Sequence, residues 1–154
     1  MAIIQLPTDF QDLLKCLNKN AVEYLLIGGY AVGFYGYVRA TGDIDFWFAR
    51  TEENASRIVL ALEDFGFGSG DVSAGTFLEP EAIIRMGRTP LRIEFLTTIS
   101  GVEFADCWPH RVLTQLDGIP MTVISLEDLK ANKKASGRPK DLLDFKKLEQ
   151  IPLP

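Results

Sequence analysis

The sequence predicts an α/β fold: a mixed, twisted sheet of four to six strands with helices packed on it and two helices at the C-terminus. Three observations predict it. From Tyr24 to Phe65 a short apolar run, a helix-compatible stretch, a second apolar run and an amphipathic stretch follow one another, the order of a sheet covered by helices. Residues 82–97 and 111–124 each carry two strand-like runs joined by a turn sequence. Residues 125–150 then change to helical spacing and hold seven of the sixteen Lys and Arg.

The length of 154 residues suits one domain, residues 1–154, with a single substantial core. No apolar run approaches about twenty residues, so no transmembrane helix and no membrane partner are expected. The start, MAIIQLPTDF, has neither a basic region nor a long apolar one, which argues against a secretory signal. Cys16 and Cys107 form no metal motif and read as two free, half-buried thiols, fitting a cytoplasmic location. The net charge of −5 argues against a broad basic face for duplex nucleic acid. The charge is unevenly placed: residues 125–154 sum to +2, leaving −7 on the remainder. An acidic body with a basic helical end suits a metal site beside a phosphate contact.

Taken in order, Thr8 or Asp9 caps a first helix with Phe10, Leu13, Leu14 and Leu17 at helical spacing. Residues 24–27 read as a buried strand, Gly28-Gly29 as a turn, 30–37 as a helix and 43–49 as the second strand. Thr51 caps the next helix, whose stripe is Ile58, Val59, Leu62 and Phe65 and whose stop is Gly66. Residues 65–76 are rich in Gly and Ser, a surface connection or a substrate lid. Residues 82–86 and 91–97 are strands joined by GRTP, and 101–111 form a short helix or irregular cover. Trp108 reads as core rather than a stacking platform, and His110 as a surface residue rather than a general base. Asp117-Gly118 turns a hairpin between residues 111–115 and 119–124. Ser125 caps a helix with Asp128 as its reciprocal partner. Gly137 stops that helix, and Pro139 opens another.

The chemistry concentrates between Leu25 and Arg50. Strand side chains alternate, so Asp43 and Asp45 share a face with Ile44 pointing inward between them. Neighbouring carboxylates repel and are costly to keep ionised without a cation, and a hard divalent ion with oxygen ligands is the simplest remedy. Fifteen residues earlier, Gly28-Gly29 lies between a strand and a helix, where backbone N–H groups approach a phosphate closely. A phosphate cradle beside a dicarboxylate is the layout for a metal-bound nucleoside triphosphate. Glu94 interrupts a later apolar strand in the same manner. If that strand adjoins the first, Glu94 completes a three-carboxylate site; otherwise it pairs with Arg92 or Arg85 at the surface. Lys130, Lys133, Lys134 and Gly137 recur at i, i+3, i+4, i+7 and mark one basic side; Lys130, Lys134 and Lys146 read as solvated, with Asp141 and Asp144 as salt-bridge partners.

Gly28-Gly29 followed by Arg39, Thr41, Asp43 and Asp45 resembles the GG…R-x-T-x-D-x-D signature of the DNA polymerase beta-like nucleotidyltransferase superfamily. The match is nearest to the small bacterial nucleotidyltransferases grouped with AbiEii-type toxins. The run K…R-P-K-D-x-x-D around Lys133, Arg138 and Asp141 resembles the C-terminal signature of the same proteins. The resemblance implies the polymerase-beta-like fold, an NTP substrate, two Mg²⁺ or Mn²⁺ ions, and transfer of a nucleoside monophosphate to a hydroxyl with release of pyrophosphate. It implies Asp43, Asp45 and Glu94 as metal ligands and catalytic residues, with Glu94 standing where Asp is usual. It implies Gly28, Gly29, Arg39, Thr41, Lys133 and Arg138 around the nucleotide. The acceptor stays open between RNA, protein and small molecule. The alternative is a nucleotidyltransferase-like toxin–antitoxin partner acting by protein binding, with Phe34, Tyr35, Tyr37 and Trp47 as exposed interface aromatics.

Overall fold

A computed structural model describes residues 6–39, 41–67, 72–88 and 91–152. Helix α1 (Thr8–Lys19) leads into strand β1 (Tyr24–Ile27), helix α2 (Gly28–Phe34), strand β2 (Asp43–Phe48) and helix α3 (Glu52–Phe65). Strands β3 (Ile83–Arg88) and β4 (Leu91–Leu96), helix α4 (Phe104–Cys107), strands β5 (Val112–Leu116) and β6 (Ile119–Val123), and helices α5 (Leu126–Ser136) and α6 (Pro139–Glu149) complete the order. The six strands form one mixed sheet in the order β3-β4-β2-β1-β6-β5, the α/β architecture expected.

The core follows from strand alternation. Ile44, Phe46 and Phe48 of β2 are wholly buried, and Ile93 and Phe95 of β4 lie beside them in register. Tyr24 packs its ring edge-on against Phe46 at 5.5 Å, and Phe77, from a 3₁₀ turn at Ala74–Leu78, closes on Phe48 and Phe95. Helix α1 buries the four residues its spacing selects, Phe10, Leu13, Leu14 and Leu17. In α3 the buried stripe shifts to Ala55, Ile58, Ala61 and Leu62, with Val59 and Phe65 only partly covered. The large side chains already fill the space around α3, so small alanines make the closest approach.

Several local expectations need correction. Pro7 rather than Thr8 or Asp9 occupies the cap of α1, and no side chain bonds its first turn. Helix α2 begins at Gly28, two residues before the expected start, and ends at Phe34. Asp128 N–H donates to Ser125 Oγ, but the Asp128 carboxylate faces His110 Nδ1 at 3.1 Å instead of returning to the cap. Asn54, in the first turn of α3, is buried; its side chain receives Glu23 N–H and donates to the Glu23 and Ala49 carbonyls, tying α3 to the ends of β1 and β2. Asp117 and Gly118 adopt φ of 51° and 78°, the primed turn that their order signals. Residues 68–71 of the Gly/Ser-rich stretch, and Thr89 and Pro90 of the GRTP turn, lie outside the described residues. Cys16 is half-buried, Cys107 is buried, and neither is bridged. No helix among the described residues is long and apolar enough to cross a membrane.

Candidate active site

Strands β2 and β4 run parallel, with Asp43 opposite Arg92 and Asp45 opposite Glu94. The sheet therefore brings Asp45 and Glu94 together, as the expectation for a neighbouring strand required. Both line a cleft of about 460 Å³ with Gly28, Gly29, Arg39, Arg85, Lys133, Arg138, Lys140 and Asp141. The first strand, the opening of α2, and the helical hairpin α5–α6 thus meet over one patch of sheet.

Asp45 is the strained member. Its pKa is pushed up to about 7, first by burial, then by the Glu94 carboxylate beside it and by Asp43, with Lys133 offsetting part of the rise. Its Oδ1 is buried without a hydrogen-bond partner among the described residues. Gly28 explains why the chain needs glycine here. At its φ of +71° a Cβ would fall inside the contact radius of Asp45 Oδ2, so any other residue would displace the carboxylate or the turn. The same holds more mildly at Gly29, where a Cβ would stand 3.0 Å from Thr41 Oγ1. The paired glycines are small because Asp45 and Thr41 lie against them.

The other expected residues are engaged. Asp43 takes Arg92 Nε and Nη2 at 3.1 and 3.3 Å, one of the two arginines that the alternative reading offered to Glu94. Glu94 receives Arg85 Nε at 2.9 Å, so the cleft carboxylate and the surface ion pair are both present. Thr41 donates to the carbonyl of Asp43 at 3.2 Å and steadies the entry to β2; it is not a wall of the cleft. As the side chains stand, no group of three or more His, Cys, Asp or Glu is arranged to hold a metal among the described residues.

The basic helix is organised differently from a solvated face. Lys133 is 5 % exposed and its Nζ lies 3.0 Å from Asp141 Oδ1 and 3.1 Å from Asp144 Oδ2. Asp144 also takes a two-pronged contact from Arg39 at 3.0 and 2.9 Å, and Asp141 takes Arg138 Nε at 2.6 Å and Ser136 Oγ. Burial pushes the Asp141 carboxyl up, but the hydrogen bonds from Ser136, Arg138 and Lys133 and the Lys133 charge outweigh it and hold the group down at about 2. Asp141 and Asp144 are therefore not partners of Lys130 and Lys134: Lys130 pairs with Glu127 and Glu149, and Lys134 lies over the Phe145 ring. Asp144 is the residue that sequence reasoning undervalued. Its signal was the spacing: Asp141, Asp144 and Leu148 fall on one face of α6, and all three are buried. Of the proposed interface aromatics, Trp47 is 1 % exposed, and Phe34, Tyr35 and Tyr37 are packed partly against the core.

Residues 7–152 match the family described as nucleotidyl transferase of unknown function (DUF2204), and the chain belongs to it. No curated protein matches the sequence. Among solved structures, a nucleotidyltransferase-like protein of Thermotoga maritima superposes with a TM-score of 0.60 at 18% identity, over 89% of this chain and 88% of that one. The lincosamide antibiotic adenylyltransferase LnuA, solved with lincomycin bound, gives 0.59 at 16% identity over 96% and 99%. The antibiotic-resistance factor ANT(2'')-Ia gives 0.56 at 14% identity over 92% and 80%. At these identities the likeness is one of fold, shared with nucleotidyltransferases.

Proposed function

We propose that this nucleotidyltransferase-family chain moves a nucleoside monophosphate from an NTP to a hydroxyl on a small molecule, with release of pyrophosphate and with divalent metal. The observation that carries the reading is the Asp45–Glu94 pair, two adjacent carboxylates on one sheet face, one with a buried oxygen that no group among the described residues satisfies. Such an arrangement is costly in the free protein and becomes favourable when a cation arrives. The donor set of oxygens alone fits Mg²⁺ or Mn²⁺. Asp45 and Glu94 would hold the metal, joined by Asp43 once its carboxylate leaves Arg92. When bound, two such ions neutralise phosphate charge and activate the attacking oxygen.

The residues of the chain supply position and charge. Gly28 and Gly29 line the cleft beside Asp45, so a phosphate there would meet backbone at the opening of α2. Lys133, Arg39 and Arg138, each held by Asp141 or Asp144, present a preset positive wall to the leaving pyrophosphate at no further ordering cost. Lys140 stands on the same cleft without an ion-pair partner among the described residues. Glu94 takes the proton of the acceptor hydroxyl. A small-molecule acceptor is supported by two fold neighbours, LnuA with lincomycin and ANT(2'')-Ia solved with adenylyl-2''-tobramycin. The toxin–antitoxin alternative drew on aromatics of which one is buried and three are partly packed, so nothing at those positions favours it.

The test is incubation with each labelled NTP, Mg²⁺ and cell extract, followed by identification of the labelled molecule. Metal-dependent label on an acceptor, lost in Asp45→Asn, is the expected result. Absence of nucleotide binding with Mg²⁺ present refutes the reading.

A further inference from the structure

The cleft that holds Asp45 and Glu94 does not end at those carboxylates. Asp43, Asp45 and Trp47 share one face of β2, and Trp47 sits opposite Leu96 as Asp45 sits opposite Glu94. Two residues along a strand span roughly 6.6 Å, so Trp47 lies about that far along the same face from Asp45. Trp47 walls a second cleft, also of about 460 Å³, with Phe104, Trp108 and Glu103. Thr98 and Ile99 line both clefts, so the two adjoin. Asn132 donates to the Ser100 carbonyl at 3.0 Å and pins this shared floor to α5.

The two halves differ in charge and texture. The first presents Arg39, Arg85, Lys133, Arg138 and Lys140 against Asp45, Glu94 and Asp141, an excess of positive charge suited to a triphosphate. The second is lined by Glu23 and Glu103 against Arg50, with Arg111 lying on its Trp108 wall, and so lacks that excess. Its aromatics form a self-stacked wall: Trp47 meets Phe104 edge-on at 5.1 Å, Phe104 stacks on Trp108 at 5.4 Å, and the Arg111 guanidinium lies over Trp108 at 4.2 Å. Rings already stacked on one another offer an apolar surface, not a slot for a nucleobase. Trp47 Nε1 is a buried donor with no partner among the described residues.

We propose that this second cleft is the acceptor site and that it takes a small neutral or cationic molecule with an apolar face and a hydroxyl. The inference rests on nucleotidyl transfer being the reaction. The hydroxyl oxygen attacks the α-phosphorus and forms the new O–P bond. The bond from that phosphorus to the bridging oxygen breaks, pyrophosphate leaves with the electron pair, and the hydroxyl proton passes to Glu94. A polyanion such as RNA would meet Glu23 and Glu103 at the entrance, and a triphosphate is drawn to the other half.

Both tryptophans of the chain lie in this cleft, so their fluorescence reads occupancy without any turnover. The probes are phenylalaninol, an aromatic alcohol carrying an ammonium; 3-phenyllactate, its anionic counterpart; and adenosine. Phenylalaninol is expected to give a saturable change, at least fivefold tighter than 3-phenyllactate. Glu103→Gln should shrink that preference, and Trp108→Phe should leave the change readable from Trp47. Adenosine should neither reproduce the change nor displace phenylalaninol. No saturable change with phenylalaninol, or its competitive displacement by adenosine, overturns the proposal. Calorimetry with Mg²⁺ and ATP on the same preparation separates the two claims. Nucleotide binding without a phenylalaninol signal sinks the acceptor site and spares nucleotidyl transfer; no nucleotide binding sinks transfer and the acceptor role with it.

Discussion

Two acid pairs face one cleft and are treated in opposite ways. On the sheet, Asp45 and Glu94 lie side by side; Glu94 has an exposed arginine, and Asp45 has a buried oxygen with no partner among the described residues. On the hairpin, Asp141 and Asp144 are each 1 % exposed and are met by Lys133, Arg39, Arg138 and Ser136. Asp45 is pushed towards the protonated form, and Asp141 is held ionised. Burial is common to both, so burial does not distinguish a poised group from a structural one. The supply of internal counter-charge does. Helices α5 and α6 close a finished ion-pair network, and the sheet leaves one open.

The comparison breaks most visibly at Lys133. Its removal strands Asp141 and Asp144 in the interior, so Lys133→Met should destabilise the protein by about 3–5 kcal/mol, read as a lowered denaturation midpoint. The resemblance implies Lys133 only as a contact of the nucleotide; its two buried partners make loss of stability the larger effect. An unchanged midpoint would mean that the network is not closed as described.

Glu94→Gln tests the open pair. If Glu94 takes the acceptor proton, transfer should fall about a hundredfold or more while nucleotide affinity in calorimetry changes little. Wild-type rates would leave Glu94 only its ion pair with Arg85. Glu94→Asp should keep transfer measurable.

Asp45 supplies a pH test. Its pKa is pushed up to about 7 in the folded protein from the ordinary 3.8, so the folded state keeps a proton that the unfolded chain has lost. The stability it contributes is full below about pH 4 and is lost as pH rises towards 7. Asp45→Asn should therefore raise the stability of the ligand-free protein by about 1–3 kcal/mol above pH 7 and make little difference at pH 4. Asp141 runs the other way: its contribution is present above pH 3.8 and is lost as pH falls towards 2. Thermal melts across pH check both. An Asp45→Asn protein that is less stable at every pH would contradict the account of a carboxylate held against its preference.

The smallest effect belongs to Lys134, which shares the basic helix but lies over Phe145 in solvent. Lys134→Met should shift stability by no more than about 0.5 kcal/mol and leave nucleotide affinity unchanged. If it matched Lys133→Met, the basic helix would be acting as a diffuse field.

The sequence by itself determined whatever depends on near neighbours in the chain. Period-two alternation placed Asp43 and Asp45 on one face and Ile44 in the core, and 3.6-residue spacing selected the buried side of α1. Turn chemistry placed the hairpin at Asp117-Gly118, and capping placed the start of α5 at Ser125. The tertiary structure decided what depends on partners far along the chain. That Asp45 would stand against Glu94, forty-nine residues away, followed from β4 lying parallel beside β2. That Asp43 would turn to Arg92, Lys133 to Asp144, and Arg39 to the same Asp144 followed from which elements meet over the cleft. A charged side chain takes the counter-charge that the fold brings within about 4 Å, and sequence spacing reports that distance only inside one helix or strand.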